Sequence, residues 1–189
     1  FNSLEVWMHA SPTIKPQYAD IIDLGFIGSS KNSKYTLQTD IFYKWLYNQI
    51  AYKYHAEMLI NKYVEGEIRQ GNGWAYGFEI SLSKETGKLR GQLGYTYSRS
   101  FMKVNEINNG EYFPSTTDKP HNFVANILFQ ARPRWLISGN YQISSGNPVT
   151  TPTSFYYYRG YQVPVYSEQN NDRLPVYQRF DFSTTIRLN

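Results

Sequence analysis

The residues best suited to ligand chemistry are tyrosines grouped around one arginine in the segment FYYYRGYQVPVY, residues 155–166. Phenol rings offer broad amphipathic surfaces at small entropic cost, and an arginine can grip an anionic group through two parallel hydrogen bonds. Sugars, peptides and metal chelates all suit such a surface. Alternatively, the rings continue a strand or pack one loop on another. The candidate ligand-binding residues are Tyr156, Tyr157, Tyr158, Arg159 and Tyr161.

Catalytic arrangements are not evident in the sequence. The three histidines, His9, His55 and His121, are far apart, and neither a zinc-protease helix motif nor a GxSxG nucleophile turn occurs. A hydrogen-bonding role at a strand end is expected for His121, in preference to a metal. Asp118 and other loop carboxylates are expected to be solvated. We therefore predict a protein without enzymatic activity, catalytic residues, cofactor or metal site.

The composition narrows the class of protein. With 189 residues the chain suffices for one sizeable domain, and no apolar run approaches the roughly 18 residues that a membrane helix needs. The 18 tyrosines favour strands. Cysteine is absent, which excludes a disulfide framework and a thiolate metal site. Although the formal charge is +4, Lys and Arg form no basic run, so nucleic-acid binding is not expected.

Alternation of apolar and polar residues at every second position predicts seven antiparallel strands. At about ten residues each, they exceed the usual five or six of globular sheets and match the length needed to cross a bilayer. The alternation is clearest in WAYGFEISLS, where the large apolar residues face one side and Glu79 and Ser81 the other. The predicted strands cover residues 18–28, 35–45, 74–83, 89–99, 122–131, 135–144 and 179–187.

The predicted connections alternate between short and long. Short turns cover 29–34, 84–88 and 132–134, whereas long links cover 47–73, 101–120 and 146–176. Sorting loops by end is typical of a transmembrane β-barrel, in which an apolar band faces lipid and the lumen is polar. The all-β prediction is therefore an antiparallel transmembrane barrel segment of about seven long strands. The alternatives are a soluble β-sandwich that binds a ligand or glycan, and a fragment that associates through its open edges.

Five segments together resemble the C-terminal half of TonB-dependent outer-membrane receptors, especially those of Bacteroidota. They occur in the family's order, and each falls on a strand or loop predicted from the alternation. The resemblance covers nearly the whole chain. The segments are FYKWLYNQI (42–50), GWAYGFEISLSKETGKLRGQLGYTYSRS (73–100), YFPSTTDKPHNF (112–123), SSGNPVTTPT (144–153) and NNDRLPVYQRFDFS (170–183).

The resemblance implies a larger barrel of about 22 strands, plugged by an N-terminal domain and placed in the bacterial outer membrane. Residues 1–189 would then be a partial barrel domain without the plug, the early strands or the closing strands. Its implied partners are the bilayer, the TonB complex through the N-terminal part, and a small-molecule, glycan or peptide ligand. Relatives of the starch-utilisation type add a surface lipoprotein. Glu79, Arg179 and Asp181 are expected to face the lumen and are candidates for contact with the plug. For Arg179 and Asp181 the alternative is a structural salt bridge with neighbouring strands.

Overall fold

The computed structural model describes residues 11–187 except for residues 33, 55 and 58–60. Strands dominate this part of the chain, and two short 3₁₀ turns, Val64–Glu67 and Asn108–Gly110, lie in the loops. The strands are β1 (Tyr18–Ser29), β2 (Tyr35–Tyr52), β3 (Ile68–Lys84), β4 (Leu89–Lys103), β5 (Tyr112–Pro114), β6 (His121–Arg132), β7 (Trp135–Ser144), β8 (Pro148–Val149), β9 (Ser154–Tyr158), β10 (Tyr161–Val165), β11 (Asp172–Arg173) and β12 (Tyr177–Ile186).

One antiparallel sheet contains all seven strands predicted from the sequence. Its order is β1-β2-β3-β4-β6-β7-β12, and β5 adds a short pairing to β4. The remaining four strands form two separate two-stranded sheets, β9 with β10 and β8 with β11. No second large sheet covers either face of the described sheet, so the alternative of a β-sandwich is wrong. The sheet is open, with β1 and β12 at its two edges.

The strands extend further at the long-loop end than the alternation predicts. β2 continues to Tyr52 and β3 begins at Ile68, so the link between them covers 53–67 and not 47–73. A bulge at 46–49 interrupts the ladder, where Asn48 has a left-handed backbone (φ 54°). Backbone pairing resumes beyond the bulge although the alternation of side chains is lost, which is why the sequence pattern misses this part.

Buried apolar packing is confined to the loop end of the sheet. Met102, Val104, Ile107 and Phe113 form a small buried cluster, against which Ala51 packs. Elsewhere, large apolar side chains of the sheet are exposed or half-buried. Within the described residues, no helix has the length and apolar character required to cross a membrane. The sheet is thus held together mainly by its backbone ladder and by side-chain rows along its two faces.

Candidate functional site

The two faces of the sheet differ in chemistry, although Ile21, Ile27, Val124 and Leu128 lie on the more polar one. Residues paired between neighbouring antiparallel strands project from the same face, so the register defines continuous rows. We call the face that carries Trp74, Tyr76, Phe78, Ile80 and Leu82 the apolar face. Its row through Leu82 consists of Gly28, Leu37, Leu82, Leu93, Ala125, Tyr141 and Phe180.

The opposite face, which we call the polar face, carries a matching row of hydrophilic side chains. Each of the seven strands contributes a residue able to form hydrogen bonds. The row consists of Ser29, Thr36, Ser83, Gln92, Asn126, Asn140 and Asp181. A sheet with one apolar and one polar face separates a hydrocarbon environment from water, as expected for a membrane barrel.

The dimensions of the apolar face match a bilayer. At the loop end of this face, Trp45 lies opposite Trp74. At the short-turn end, Tyr35 lies opposite Lys84. Ten residues separate these levels on each strand, which corresponds to about 25 Å along the membrane normal for a strand tilted by about 40°. Many side chains between them are exposed, Ile80 by 40% on an inner strand and Leu24 by 74% on an edge strand. Soluble monomers rarely leave such a continuous apolar patch uncovered.

The three residues predicted to face the lumen all lie on the polar face. Glu79 is exposed and stands directly opposite Asp40 on β2 and Thr96 on β4. Arg179 and Asp181 form an ion pair with each other along β12, at 2.8 Å between Nε and Oδ2. Both groups are well exposed, so this pair adds little stability. Their contact with a plug stays a prediction.

Asp118 is a buried, ion-paired carboxylate at the loop end. Its side chain is fully buried (0% exposed) and forms ion pairs with Arg99 and Arg173. Oδ1 accepts hydrogen bonds from Arg99 Nε (3.2 Å) and from the Ser100 backbone N–H (2.6 Å). Oδ2 accepts from Arg173 Nη2. The expectation that Asp118 is solvated is therefore wrong, because two arginines from distant segments enclose it.

Arg173 extends this contact to a third segment of the chain. Its Nη1 donates to the backbone oxygens of Asp118 (2.8 Å) and Gly146 (3.2 Å). At Gly146 the backbone approaches Leu174 so closely that an added Cβ would clash with the Leu174 carbonyl. Glycine is thus required there by the close contact of two loop segments. Arg173 therefore links the start of β6, the end of β7 and the start of β12 at the long-loop end of the sheet.

A second polar cluster joins all three long loops. Asn108 Oδ1 accepts hydrogen bonds from the Tyr54 hydroxyl and the Gln169 backbone N–H, both at 2.7 Å. Asn108 Nδ2 donates to the Gln169 carbonyl (3.0 Å), and Gln169 Nε2 donates to the Tyr52 carbonyl (2.8 Å). The three loops therefore form one connected layer at this end of the sheet.

Replacing Asn108 with alanine should loosen the 145–176 loop, because the Gln169 amide and the Tyr54 hydroxyl lose their shared partner. The free energy that holds the loop in place should fall by about 1–3 kcal/mol. Faster amide hydrogen exchange around Gln169 is the measurement. Asn109→Ala is a matched control, since Asn109 is exposed and has the same left-handed backbone. Equal effects of the two substitutions would attribute the loss to backbone strain instead of the network.

A cavity of about 430 Å³ opens on the polar face beneath these loops. Met102 and Phe113 form its apolar wall, while hydroxyl and amide groups from three segments line the rest. None of the described residues that line it carries a formal charge. Such a surface can hold an uncharged polar ligand by hydrogen bonds and apolar contact. The principal polar residues are Gln49, Ser115, Thr117, Thr150, Gln169 and Asn170.

The tyrosine segment forms a two-stranded hairpin, with Arg159 (φ 49°) and Gly160 (φ 83°) at its turn. The register places Tyr156, Tyr158 and Tyr161 on one face and Tyr157 on the other. The four rings are exposed, and the Arg159 guanidinium lies 5.4 Å from the Tyr158 ring centroid. The five candidate residues are thus brought together at one tip but divided between two faces. Their role in ligand binding stays a prediction.

His121 forms a hydrogen bond at a strand end, as predicted. Its Nδ1 lies 2.8 Å from the Tyr95 hydroxyl, and its backbone pairs with Ser145. His9 and His55 lie outside the described residues. Among the residues that the structure does describe, no group of three His, Cys, Asp or Glu side chains could hold a metal ion. The arrangement offers binding surfaces and hydrogen bonds.

Glu67 is a second ion-paired carboxylate of the loops. Lys53 Nζ lies 2.9 Å from its Oε1, and the Glu57 backbone N–H donates to Oε2 at 3.1 Å. The hydrogen bond from Lys53 is the main cause that lowers the pKa of the Glu67 carboxyl below its ordinary value, and the Glu57 amide acts in the same direction. The ion pair therefore favours the folded loop when Glu67 is charged.

The contribution of Glu67 should depend on pH with a definite sign. Because its pKa is lowered in the folded state, the stabilisation is present above the ordinary carboxyl pKa and is lost as pH falls through the lowered value. At neutral pH, Glu67→Gln should speed hydrogen exchange of the Glu57 amide, and in acid the variant and the parent should converge. Glu65→Gln is the control, since Glu65 bonds only Thr13 among the described residues. A pH-independent effect would contradict the assignment.

Comparison with protein families assigns the chain to a family. Residues 7–189 match the model of the TonB dependent receptor-like β-barrel family. The chain belongs to this family. Members of the TonB-dependent receptor family are transporters and receptors of the outer membrane of Gram-negative bacteria, and the family is not a class of enzymes. The two-faced open sheet is therefore part of a TonB-dependent receptor barrel, and the prediction of the fold class is confirmed.

Solved structures of TonB-dependent receptors share this fold. The ferric-catecholate import receptor Fiu of E. coli K12 matches 100% of the chain with 18% identity and a TM-score of 0.63. The FrpB iron transporter of Neisseria meningitidis matches 94% with 14% identity and a TM-score of 0.59. The chain spans 24% and 25% of these two proteins. No curated protein matches the sequence significantly.

Proposed function

We propose that this chain is a barrel segment of an outer-membrane transporter that takes up a nutrient ligand with energy supplied through TonB. The observation that carries the proposal is the apolar face, which is continuous over seven strands and about as tall as a bilayer. Membership of the TonB-dependent receptor family over residues 7–189 supports it. In this proposal, a part of the receptor outside this chain contacts the TonB complex.

The proposed path of the ligand begins at the tyrosine hairpin and continues to the cavity on the polar face. Exposed phenol rings capture a small molecule, glycan or peptide by stacking, and Arg159 adds a contact for an anionic group. The cavity has an uncharged lining. A surface lipoprotein over the loops would complete the capture site. The similarity of the five segments to Bacteroidota receptors supports this partner and a position late in the barrel.

The proposal is tested in the complete receptor in its natural host. We expect it to fractionate with outer membranes, to require detergent and to migrate differently on gels before and after heating. Uptake of radiolabelled ferric catecholate, maltooligosaccharides and oligopeptides is compared in the parent, a receptor deletion and a TonB deletion. Both deletions should abolish uptake of the same probe class. A protein that remains soluble without detergent, or uptake that survives loss of TonB, would contradict the proposal.

The tyrosine hairpin has its own matched test in the same assay. The triple variant Y156A/Y158A/Y161A removes one face of the hairpin, whereas Y157A removes a ring from the other. If the first face captures the ligand, the triple variant should raise the half-saturating concentration of the transported probe about tenfold or more. A loss that is as large in Y157A would show that the two faces are not distinguished.

A further inference from the structure

The short-turn end of the sheet collects positive charge that is scattered along the sequence. The β1–β2, β3–β4 and β6–β7 turns lie side by side with the end of β12 at the short-turn end of the sheet, because their strands are neighbours. Glu85 is the one acidic residue among these turns. We call the seven cationic residues the basic rim: Lys31, Lys34, Lys84, Lys88, Arg132, Arg134 and Arg187.

The rim carries more than the whole net charge of the chain. Seven of the 19 Lys and Arg residues but one of the 15 Asp and Glu residues lie there, which gives the rim +6. The other 12 cations and 14 acids leave the rest of the chain at −2, for the total of +4. This asymmetry between the rim and the rest of the chain arises from the fold, since the sequence contains no basic run.

The cations of the rim are available for an external partner. Within the described residues, five ion pairs occur and none involves a rim residue. Six of the seven are exposed. The seventh, Lys84, is partly buried, and its ammonium donates to the carbonyls of Thr86 and Leu89 in the turn. A solvated row of like charges at one level repels itself unless anions neutralise it.

The level of the rim coincides with the edge of the apolar face. Tyr35 and Trp135 mark this edge, and each follows a rim cation directly, Lys34 and Arg134. Lys34 Nζ lies 5.6 Å from the Tyr35 ring centroid. Aromatic rings of membrane proteins concentrate at the headgroup level, and cations beside them meet lipid phosphates.

The shape of the rim distinguishes a lipid surface from a protein partner. Seven strands spaced by about 4.8 Å spread these cations over roughly 30 Å at one height, as a line and not as a compact patch. A layer of headgroups presents anions along just such a line. At the loop end of the same face, the positions beyond Trp74 are Asn72 and Gln70. The cations beside them are Lys103 and Lys15, and the Lys15 backbone is hydrogen-bonded to Gln70.

We propose that the basic rim binds the anionic headgroups of phospholipids in the leaflet that meets the short turns. The inference rests on the proposed function, since it requires the apolar face to lie in a bilayer. Arginine can grip a phosphate through two hydrogen bonds, and lysine acts as a point charge. The rim thereby fixes the height of the sheet and selects its annular lipid by charge.

The test uses the complete receptor reconstituted in phosphatidylcholine bilayers with nitroxide-labelled lipid. The fraction of immobilised label, measured by electron paramagnetic resonance, gives the association of phosphatidylglycerol relative to phosphatidylcholine. We expect a preference of about two- to fivefold for phosphatidylglycerol at low salt, which weakens as salt screens the charges. The triple variant K88Q/R132Q/R134Q should lose most of this preference. The loop variant K15Q/K62Q/K119Q, with the same change in charge, should keep it.

The outcomes separate the two proposals. Immobilised lipid without any preference, or a preference lost equally in both triple variants, would overturn the basic rim while leaving the receptor in the membrane. Absence of immobilised lipid of either kind would overturn the proposed function itself. If K88Q/R132Q/R134Q does not assemble, the rim is tested instead by the lipid preference of K88R/R132K/R134K and by the salt dependence of the parent's preference. Loss of preference in that charge-conserving variant, or a preference insensitive to salt, would also overturn the rim.

Discussion

Asp118→Asn should destabilise the long-loop end of the sheet by about 3 kcal/mol. The substitution keeps the shape of the side chain but removes its charge, so that Arg99 and Arg173 face an uncharged amide inside a closed contact. The amide NH₂ also presents hydrogen atoms to groups that are themselves donors. Because Asp118 links segments that are 55 residues apart in the sequence, we expect the loops to separate before the sheet melts.

Limited trypsin digestion of the complete receptor in detergent measures this effect. Cleavage after Arg173 should become faster in Asp118→Asn, and the temperature at which the folded form is lost on gels should fall. Asp172→Asn is the control. Asp172 is exposed and, among the residues that the structure describes, accepts a hydrogen bond only from its neighbour's backbone N–H. If both variants lost protection equally, the buried ion pairs would not be the cause.

Ile80→Arg should block assembly of the receptor in the membrane. Ile80 lies near the middle of the apolar face, in the row with Tyr95, Phe123 and Ile143. An arginine at the bilayer midplane of a β-barrel costs about 2–4 kcal/mol. Folded receptor in the outer membrane, quantified by its heat-dependent gel mobility, should therefore fall sharply.

Ser81→Arg supplies the matched comparison one residue away. Ser81 lies on the polar face, where its hydroxyl accepts a hydrogen bond from Gln92 Nε2 at 3.0 Å. A cation there meets water, so assembly should stay near the level of the parent. Equal loss at positions 80 and 81 would show that the two faces do not meet different solvents.

The strands were predictable because two solvents impose a strict alternation on the sequence. In β3, a shift by one residue would turn Trp74 and Phe78 to the polar face and bring Glu79 and Ser81 to the apolar face. The pattern therefore determines both the strand and its faces. Past the bulge at 46–49 this constraint ends, and β2 and β3 continue through residues with no clear alternation. The loop boundaries were therefore the part that sequence reasoning misplaced.

The buried environment of Asp118 could not be predicted, because it depends on which segments the sheet brings together. Its partner Arg173 lies in another loop, and only the strand order β4-β6-β7-β12 places the two side by side. One signal was present: Asp118 and Arg173 each belong to one of the five segments that carry the family resemblance. Charged residues in such segments are candidates for pairing, but the sequence does not state the pairs.

The tyrosine hairpin shows how far composition alone can lead. The sequence identified the five residues as a group, whereas the turn at Arg159 and Gly160 decides which rings share a face. The basic rim illustrates the same limit. Its seven cations are dispersed along the chain and become neighbours only when consecutive hairpins align their short turns.

The central claim is that hydrocarbon covers the apolar face and water covers the polar face. Its most direct test is a series of single spin-labelled cysteines at residues 78–83 of the complete receptor in lipid vesicles. This chain contains no cysteine, and any cysteine elsewhere in the receptor is first replaced by serine. Labels at 78, 80 and 82 should collide mainly with oxygen, and those at 79, 81 and 83 mainly with a water-soluble nickel chelate. Nickel contact at 78, 80 and 82, or no alternation at all, would contradict the account.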